Sequence, residues 1–272
     1  MTNRRALFYR TVFALILGVS APAESLDLRG SFVQGGLLKG ITVPGTRLFL
    51  EGKAVPISPK GKFILGLGRD ASSEVFLREI KPNGEELVHR LVIGQRTYKI
   101  QRINGLPRRK VSPFLADLPR IRRENRLIVA ARRNTIGIPL YESGFSWPAK
   151  GRISGVFGSQ RVLNGEPRRP HFGVDVAAPT GSPVTAMADG IVVFTHPGMF
   201  FNGKSIILDH GLGLSSTYIH LSVLSVKQGQ KVSKGQLIGK VGNTGRATGP
   251  HLHWGVRWNG VELDPALLVA PR

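Results

Sequence analysis

The chain has 272 residues, a formal net charge of +21 and no cysteine. This length predicts one or two domains with hydrophobic cores. The lack of cysteine excludes disulfide bonds and a lipid anchor on an N-terminal cysteine. The positive charge favours a polyanionic partner, which could be nucleic acid, anionic lipid or an acidic cell-wall polymer.

The first 23 residues have the three parts of a secretory signal peptide. A basic region precedes a short apolar run over residues 11–20, and Ala21-Pro22-Ala23 supplies the small residues of a cleavage site. The apolar run is shorter than the roughly 20 residues that span a bilayer. We therefore predict a signal peptide over residues 1–23 and export to the periplasm, with an uncleaved anchor as the alternative. Export leaves nucleic acid as the least favoured polyanion. The arginines of the basic region are Arg4, Arg5 and Arg10.

Residues 25–107 alternate apolar and polar side chains in short runs, for example over residues 46–50 and 87–93. Turn sequences such as Pro44-Gly45 separate these runs. The pattern predicts a small antiparallel β domain of the sandwich type. His89 lies in one of the strand runs, and we interpret it as a surface histidine with satisfied hydrogen bonds. Nothing in this region indicates catalysis.

Residues 111–134 have a different pattern, in which apolar residues recur at helical spacing among many arginines. Pro113 and Asp117 are suitable residues at a helix start. We predict a basic amphipathic helix that links two domains. Its simpler role is a solvated connector packed on one side, and that is the interpretation we favour. In the alternative, the helix lines or covers an active-site groove and attracts an acidic substrate.

From residue 141 to residue 268 the pattern is again that of short strands separated by glycine-rich turns. Strand candidates include residues 191–194, 205–209 and 215–219, and no long helix is indicated. The sequence therefore predicts a mainly β protein whose C-terminal part forms an antiparallel β sandwich or flattened barrel.

Four polar residues of this C-terminal part form two closely spaced pairs, His171 with Asp175 and His251 with His253. In a strand, residues i and i+2 or i+4 project to the same face, so each pair can point into one cleft. Two imidazoles and a carboxylate are sufficient ligands for a catalytic zinc ion with an open fourth position for water. In this interpretation His251 is left over to act on the water. The alternative is two unrelated, hydrogen-bonded histidine clusters in a core.

A series of short motifs surrounds these residues in a fixed order: Val156-Phe157-Gly158 with Arg161, His171-Phe172-Gly173-Val174-Asp175, Ala186-Met187-Ala188-Asp189-Gly190, Tyr218-Ile219-His220-Leu221, Val232-Ser233-Lys234-Gly235-Gln236, Gly242-Asn243-Thr244-Gly245 and Thr248-Gly249-Pro250-His251-Leu252-His253. With them, residues 151–265 resemble the lysostaphin-type (LytM-like) zinc endopeptidases of bacterial cell walls. The region before residue 141 is similar, with less distinctive motifs, to the front half of exported Gram-negative members.

The resemblance implies a role for each matching residue. His171, Asp175 and His253 match the zinc ligands of the family, and His220 and His251 match its two catalytic histidines that do not bind the metal. The family hydrolyses peptide bonds in the stem peptides and cross-links of peptidoglycan. One departure is Trp254-Gly255, where an aromatic residue followed by an acid is common. We expect this change to affect a wall of the groove at most.

The mechanism implied is hydrolysis by water on a zinc ion, with His251 as the base and His220 as the hydrogen-bond donor to the oxyanion. The roles of the two histidines can be exchanged. The expected partner is peptidoglycan, with inner-membrane or division-machinery proteins as further candidates, and oligomeric state is left open. A Gram-negative chain of this type suggests the cross-link between D-alanine and meso-diaminopimelate, although the sequence does not specify the bond.

Three other functions compete with hydrolysis. Some exported relatives have lost zinc ligands and activate separate amidases, but the complete ligand set here argues for an active enzyme. A biotin- or lipoyl-type carrier domain would need a lysine at a hairpin tip, where Met187 stands instead. A nucleic-acid binder would need aromatic residues clustered near the basic runs.

Several polar residues near the motifs have more than one interpretation. We expect His210 to be a structural hydrogen-bonding residue and His196 to lie in a loop without a ligand role. Tyr218 can face the cleft or the core. Three arginines before the first ligand can bind stem-peptide carboxylates or face water, and these are Arg161, Arg168 and Arg169.

Overall fold

A computed structural model describes residues 26–133 and 135–271 of the chain. The predicted signal peptide, residues 1–23, lies outside these residues. Within the two described ranges, no helix combines the length and the apolar character needed to cross a membrane. The protein is mainly β, as the alternating sequence pattern predicts.

The N-terminal part consists of short strands, of which all but β8 lie in two antiparallel sheets. One sheet has the order β1-β2-β5 and the other the order β4-β3-β6-β7. Alternate residues of β6 are buried, which is the burial expected for a sheet with one face on a core. The strands are β1 (Leu28–Gly30), β2 (Leu37–Ile41), β3 (Arg47–Leu50), β4 (Lys53–Val55), β5 (Lys62–Gly66), β6 (Glu74–Ile80), β7 (Glu86–Val92) and β8 (Ile100–Ile103).

Helices follow β8. The first, α1, is a single turn over Arg108–Val111, and the second, α2, covers Leu118–Ala131 and begins directly after Asp117. The helix is therefore shorter than the predicted range 111–134. Its Ile128 and Ala131 pack against a cluster on the following sheet that contains Phe194 and Ile207. Three of its arginines are exposed on the other side, Arg122, Arg123 and Arg126.

The remaining strands build the C-terminal part. Its main sheet has the order β18-β14-β15-β16-β20-β12-β9, with β21 paired to β20, and a smaller sheet has the order β13-β19-β17. The strands are β9 (Arg152–Gly155), β10 (Gln160–Leu163), β11 (Glu166–Pro167), β12 (Val174–Ala177), β13 (Pro183–Thr185), β14 (Gly190–Met199), β15 (Gly203–Gly211), β16 (Leu214–Leu221), β17 (Val223–Leu224), β18 (Lys231–Val232), β19 (Leu237–Lys240), β20 (His251–Trp258) and β21 (Val261–Leu263). Short 3-10 helices cover Leu115–Asp117, Leu140–Ser143 and Pro265–Leu268.

The two parts are in direct contact. Strand β8 pairs in parallel with β10, in a three-stranded sheet completed by β11. Buried apolar residues of β5, such as Phe63, belong to the same core cluster as Trp258 and Leu263 of the C-terminal part. Arg96 donates a hydrogen bond to the Asp264 carboxylate at 2.8 Å across this boundary. The domain boundaries stay a prediction, because one continuous core connects the sheets.

Candidate active site

The central strands of the main sheet bring the second histidine pair to the carboxylate. Strands β12 and β20 are antiparallel neighbours, and their register places Asp175 opposite His253 and Ala177 opposite His251. Along β20 the two histidines are partly exposed, whereas Leu252 between them is fully buried. The spacing of two residues therefore places both imidazoles on one face, as the sequence predicts.

His171 also lies beside Asp175, but the two residues do not share a strand as the sequence predicts. It precedes β12 instead of continuing it, because the chain bends at Gly173. A Cβ atom on Gly173 would lie 2.6 Å from the backbone oxygen of Trp254 and 2.7 Å from the His253 ring. Only glycine permits this close approach. The buried His171 side chain thus joins the histidine and carboxylate of the adjacent strands.

Three candidate ligand atoms converge to within hydrogen-bonding distance. Nε2 of His171 lies 2.9 Å from Nδ1 of His253 and 3.0 Å from Oδ1 of Asp175, and the last two atoms are 2.8 Å apart. Zinc bonds to imidazole nitrogen and carboxylate oxygen are about 2.0–2.2 Å long, so atoms with these separations can share one ion. Among the described residues, this trio is the group of histidine and acidic side chains placed to hold a metal.

The tautomer of His171 supports a cation at this point. Its Nδ1 lies 3.0 Å from the backbone oxygen of Val156, which can only accept a hydrogen bond. The proton of the neutral ring is therefore on Nδ1, and Nε2 presents a lone pair to Asp175. A lone pair and a carboxylate oxygen this close, in a buried place, require a proton or a metal ion between them. The chemistry of the donor set fits a metal.

The Asp175 carboxylate is held from its second oxygen as well. Arg161 donates a hydrogen bond to Oδ2 at 2.5 Å. Its guanidinium is therefore bound to Asp175, and is available neither to solvent nor to a substrate carboxylate. A Cβ atom on Gly155 would lie 2.4 Å from Oδ2, so this glycine leaves the space that the carboxylate occupies. Burial alone would raise the pKa of Asp175. The hydrogen bonds and charges of His171 and His253 outweigh burial and hold the pKa well below its usual range.

His220 and His251 lie beside this trio with their rings 4.8 Å apart, centre to centre. The two rings form the same kind of hydrogen bond: Nδ1 of His220 donates to the backbone oxygen of Thr244, and Nδ1 of His251 donates to that of Gly249, both at 2.8 Å. In these neutral tautomers each Nε2 is a proton acceptor. The arrangement offers two bases next to the candidate metal.

Backbone conformation directs His220 into the cleft. Its φ angle is +65°, which is uncommon for a residue other than glycine. Its N–H donates to the backbone oxygen of Asn202 at 2.9 Å. Tyr218, two residues earlier, is fully buried, and its hydroxyl accepts a hydrogen bond from the Met187 N–H. The positive φ therefore breaks the strand alternation and turns His220 away from the face that Tyr218 shares with the core.

Burial favours the neutral form of two histidines of the cleft, His253 and His220. It lowers the pKa of His253 to about 4 against the opposing effect of Asp175. It also holds the pKa of His220 well below the usual value, together with the charges of His251 and His253. Neutral imidazoles are the forms that can bind a metal or accept a proton.

Two cavities open on either side of the site. One, of about 410 Å³, is lined by His171, His220 and His253, and the other, of about 300 Å³, by Asp175, His220 and His251. The structure therefore has a groove that passes the candidate metal and both bases. No residue of α2 lines either cavity, so the basic helix does not cover the groove.

The other polar residues singled out in the sequence lie elsewhere. His210 is fully buried and hydrogen-bonded at both ring nitrogens, to the Asp189 backbone oxygen and to Ser216 Oγ. His89 lies 2.8 Å from the Glu79 carboxylate. His196 was expected in a loop but lies in β14, because the long β14-β15 hairpin extends past it.

The departure at Trp254 does not affect the groove. This side chain is fully buried and lies edge-on to Trp147, with ring centres 5.5 Å apart. The tryptophan therefore forms no groove wall, whereas a Cβ atom on Gly255 would lie 3.6 Å from Nε2 of His253, so the effect of the glycine on the groove stays a prediction.

Sequence reasoning assigned no role to Thr244, and it did not single out Arg246 or Phe201. The first anchors His220, and the other two line the groove. Thr244 stands inside a motif that the sequence already showed, Gly242-Asn243-Thr244-Gly245, so its position in that motif was the available signal. For Phe201 no comparable pattern exists.

Comparisons with known proteins agree with this geometry. The model of Peptidase family M23 matches residues 169–265. The chain is 48% identical over 109 residues to the peptidoglycan DD-endopeptidase ShyA of Vibrio cholerae, which is 39% of this chain and 25% of that protein. It is 42% identical over 121 residues to the DD-carboxypeptidase/endopeptidase Mpg of Neisseria meningitidis, which is 44% of this chain and 27% of that protein. These matches span about a quarter of the length of either relative.

One solved structure extends the similarity over nearly the whole chain. A crystal structure described as a peptidase M23 from Pseudomonas aeruginosa is 33% identical, with a TM-score of 0.67, and the match covers 87% of this chain and 94% of that one. The chain belongs to peptidase family M23. The resemblance to lysostaphin-type enzymes that the motifs indicate is thereby confirmed. M23 peptidases are metallopeptidases, which agrees with the His171, Asp175 and His253 trio.

Proposed function

We propose that this M23 protein is a zinc-dependent endopeptidase that hydrolyses peptide bonds in the stem peptides or cross-links of peptidoglycan. The observation that carries the proposal is the convergence of His171, Asp175 and His253 beside two further histidines in an open groove. The similarity to proteins named peptidoglycan DD-endopeptidases supports the substrate class. The complete set of ligand candidates argues against a non-catalytic protein that activates a separate amidase.

His171, Asp175 and His253 would hold the ion, and Arg161 would orient the carboxylate. When bound, zinc supplies a Lewis acid that polarises the substrate carbonyl and acidifies water. Two imidazoles and a carboxylate leave room for water and substrate in its coordination shell. We name zinc because catalytic zinc ions are commonly bound by three protein ligands of this kind, imidazole nitrogen and carboxylate oxygen.

The proton transfers belong to the other two histidines. In its neutral form His251 presents an unprotonated Nε2 to the groove, because the Nδ1 proton is donated to the Gly249 backbone oxygen. It would accept a proton from the attacking water and deliver it to the leaving amine. His220 has the same tautomer through Thr244, so it also begins as an acceptor. With the roles exchanged, His220 would take the proton of the attacking water at Nε2 and then donate it to the leaving amine.

The test is digestion of purified sacculi with and without a chelator, followed by mass analysis of the released fragments. We expect soluble peptide-linked fragments from the wild-type protein, none with the chelator, and recovery on addition of zinc. His251→Ala protein is the matched control for contaminating hydrolases. Release that persists with the chelator or in the His251→Ala protein would contradict the proposal. The fragment masses also identify the bond that is cut.

Export and location are part of the same proposal. The sequence features of residues 1–23 support a signal peptide and a periplasmic location, where peptidoglycan is found. Division-machinery or inner-membrane proteins are proposed partners only through the resemblance to exported family members. Mass analysis of the N-terminus of protein recovered from the periplasm should show a chain that begins after residue 23.

A further inference from the structure

Arginine side chains line the groove on both sides of the candidate metal site. The cavity of about 410 Å³ next to His171 is lined by four arginines, and none of its described lining residues is acidic. The cavity on the other side is lined by three arginines, two of which also line the first cavity, and by the carboxylate of Asp175. A concave wall with uncompensated positive charge attracts anionic groups of a ligand. The four arginines are Arg161, Arg168, Arg169 and Arg246.

Two of these arginines already have acidic partners. Arg161 is bound to Asp175, and Arg168 forms an ion pair with Glu166 and donates to the backbone oxygen of Val111 at 2.9 Å. Their guanidinium groups are therefore engaged in holding the site and the wall of the groove. A ligand anion would have to be bound by one of the other two.

Arg246 is the better placed of the remaining two. It is half-buried, whereas Arg169 is exposed, and it lines both cavities together with His220. Its guanidinium lies over the ring of Phe201, 4.8 Å from the ring centre, and the described residues provide no carboxylate in ion-pair contact with it. Burial and the charges of Arg161 and Arg168 lower the pKa of Arg246 to about 10. Removing a charged group from water without a counter-ion costs desolvation free energy. The attraction between Arg246 and a bound anion would offset that cost.

The backbone around Arg246 is firmly held. Its N–H donates to the Phe201 backbone oxygen at 2.8 Å, and Thr244 Oγ1 connects to Lys204 N and Leu221 O at 2.9 Å each. A Cβ atom on Gly245 would lie 2.4 Å from the Phe201 oxygen, so the loop packs directly on the β14-β15 hairpin. The same loop holds Nδ1 of His220. Arg246 is thus fixed relative to the bases, as a recognition residue needs to be.

We propose that Arg246 binds a free carboxylate of the substrate, on the carbon next to the scissile amide nitrogen. The proposal rests on the proposed endopeptidase function and adds the chemical class of its substrate. A guanidinium binds a carboxylate through two parallel hydrogen bonds, which gives geometric selectivity as well as charge. Such a carboxylate is present when the leaving amine belongs to a diamino dicarboxylic acid or to a C-terminal residue. It is absent from a cross-bridge of internal glycines.

The experiment compares two synthetic peptides that differ only at this carboxylate, which is free in one and a carboxamide in the other. We expect wild-type kcat/KM to favour the carboxylate peptide by roughly tenfold to a hundredfold, as for a charge-assisted pair. Arg246→Gln should abolish the preference while the carboxamide peptide is still hydrolysed. Arg246→Lys should restore only part of it, because lysine lacks the planar fork. Arg126→Gln on the exposed face of α2 is the charge-matched control and should keep the full preference.

A binding measurement separates this inference from the proposed function. His251→Ala protein, alone and combined with Arg246→Gln, is titrated with both peptides by calorimetry. We expect the carboxylate peptide to bind more tightly only when Arg246 is present. Equal binding and equal turnover of the two peptides would overturn the carboxylate subsite, whether or not sacculi are digested. A preference that survives in Arg246→Gln would overturn it as well. Failure to digest sacculi, with carboxylate-dependent binding intact, would reject only the hydrolase proposal.

Discussion

The main sheet has buried or half-buried histidines near the β15-β16 turn and at the opposite end of the strands, beside the groove. The histidines in these two places differ in the hydrogen bonds that their ring nitrogens form. Near the β15-β16 turn, both nitrogens of His210 have a partner inside the fold, and Ser216 continues the hydrogen bonds to Tyr218. At the other end, His220 and His251 use one nitrogen for a backbone oxygen and present the other to an open groove. A buried histidine is therefore no sign of function by itself. An unengaged ring nitrogen that faces a cavity is the informative feature.

The strongest test exchanges one histidine at each end for glutamine. His253→Gln removes a candidate ligand, so we expect loss of bound zinc and hydrolysis of sacculi at background level. His210→Gln should retain one zinc per chain and hydrolyse sacculi. Metal content by mass spectrometry and fragment release measure the two effects. Full zinc content in His253→Gln would show that the trio is not the metal site.

The next effect separates the bases from the ligands within the groove. His220→Ala and His251→Ala should keep their zinc, because neither side chain is part of the converging trio. Their kcat should fall by about 10²–10⁴-fold, the usual contribution of a positioned acid or base. Loss of metal in either variant would mean that the ligands are wrongly assigned.

A smaller effect is expected at the residue that orients the carboxylate. Arg161→Gln removes the charged partner of Asp175 Oδ2 and leaves the three ligand side chains in place. We expect zinc affinity to fall by about 10–100-fold, as for other residues that support a ligand. Competition with a chromophoric chelator measures the affinity, and excess zinc should restore most of the hydrolysis. Unchanged affinity, relative to the Arg126→Gln control, would show that Arg161 does not support the metal.

The smallest effect concerns the contribution of His210, whose two ring nitrogens are both hydrogen-bonded, to the stability of the fold. His210→Gln should cost about 1–3 kcal/mol of unfolding free energy, because it disturbs buried hydrogen-bond partners. Denaturant titration at pH 7.5 gives this value, and zinc content serves as the control for the site. A stability equal to that of the wild type would mean that the His210 contacts contribute nothing.

The same variant makes a prediction for pH. Burial lowers the pKa of His210 to about 4, whereas an unfolded histidine has a pKa of about 6.5. Between these two pH values, His210 is protonated in the unfolded chain but not in the folded protein. The free energy of unfolding therefore falls as pH falls from about 6.5 to about 4. His210→Gln should reduce this slope by up to about 1.4 kcal/mol per pH unit. Denaturant titrations across that window measure it, and parallel slopes for the two proteins would contradict the burial of a neutral ring.

Local patterns predicted much of the protein. The alternation in β6 and the spacing of His251 and His253 depend only on the two-residue period of a strand, so they indicated the mainly β class and the shared face directly. Of the two proposed helix-start residues, Asp117 directly precedes α2 and Pro113 does not. The motifs in turn indicated the family.

The sequence by itself determined which side chains are available for a metal and for proton transfer, because residue type and strand parity are local properties. The tertiary structure decided how they meet. The bend at Gly173 brings His171 against β20, the positive φ of His220 overrides the parity of its strand, and Arg161 is drawn to Asp175. It also decided that Arg246 stands in the groove with no acidic partner among the residues that the structure describes. Each of these depends on contacts between segments far apart in the chain, which no local pattern records.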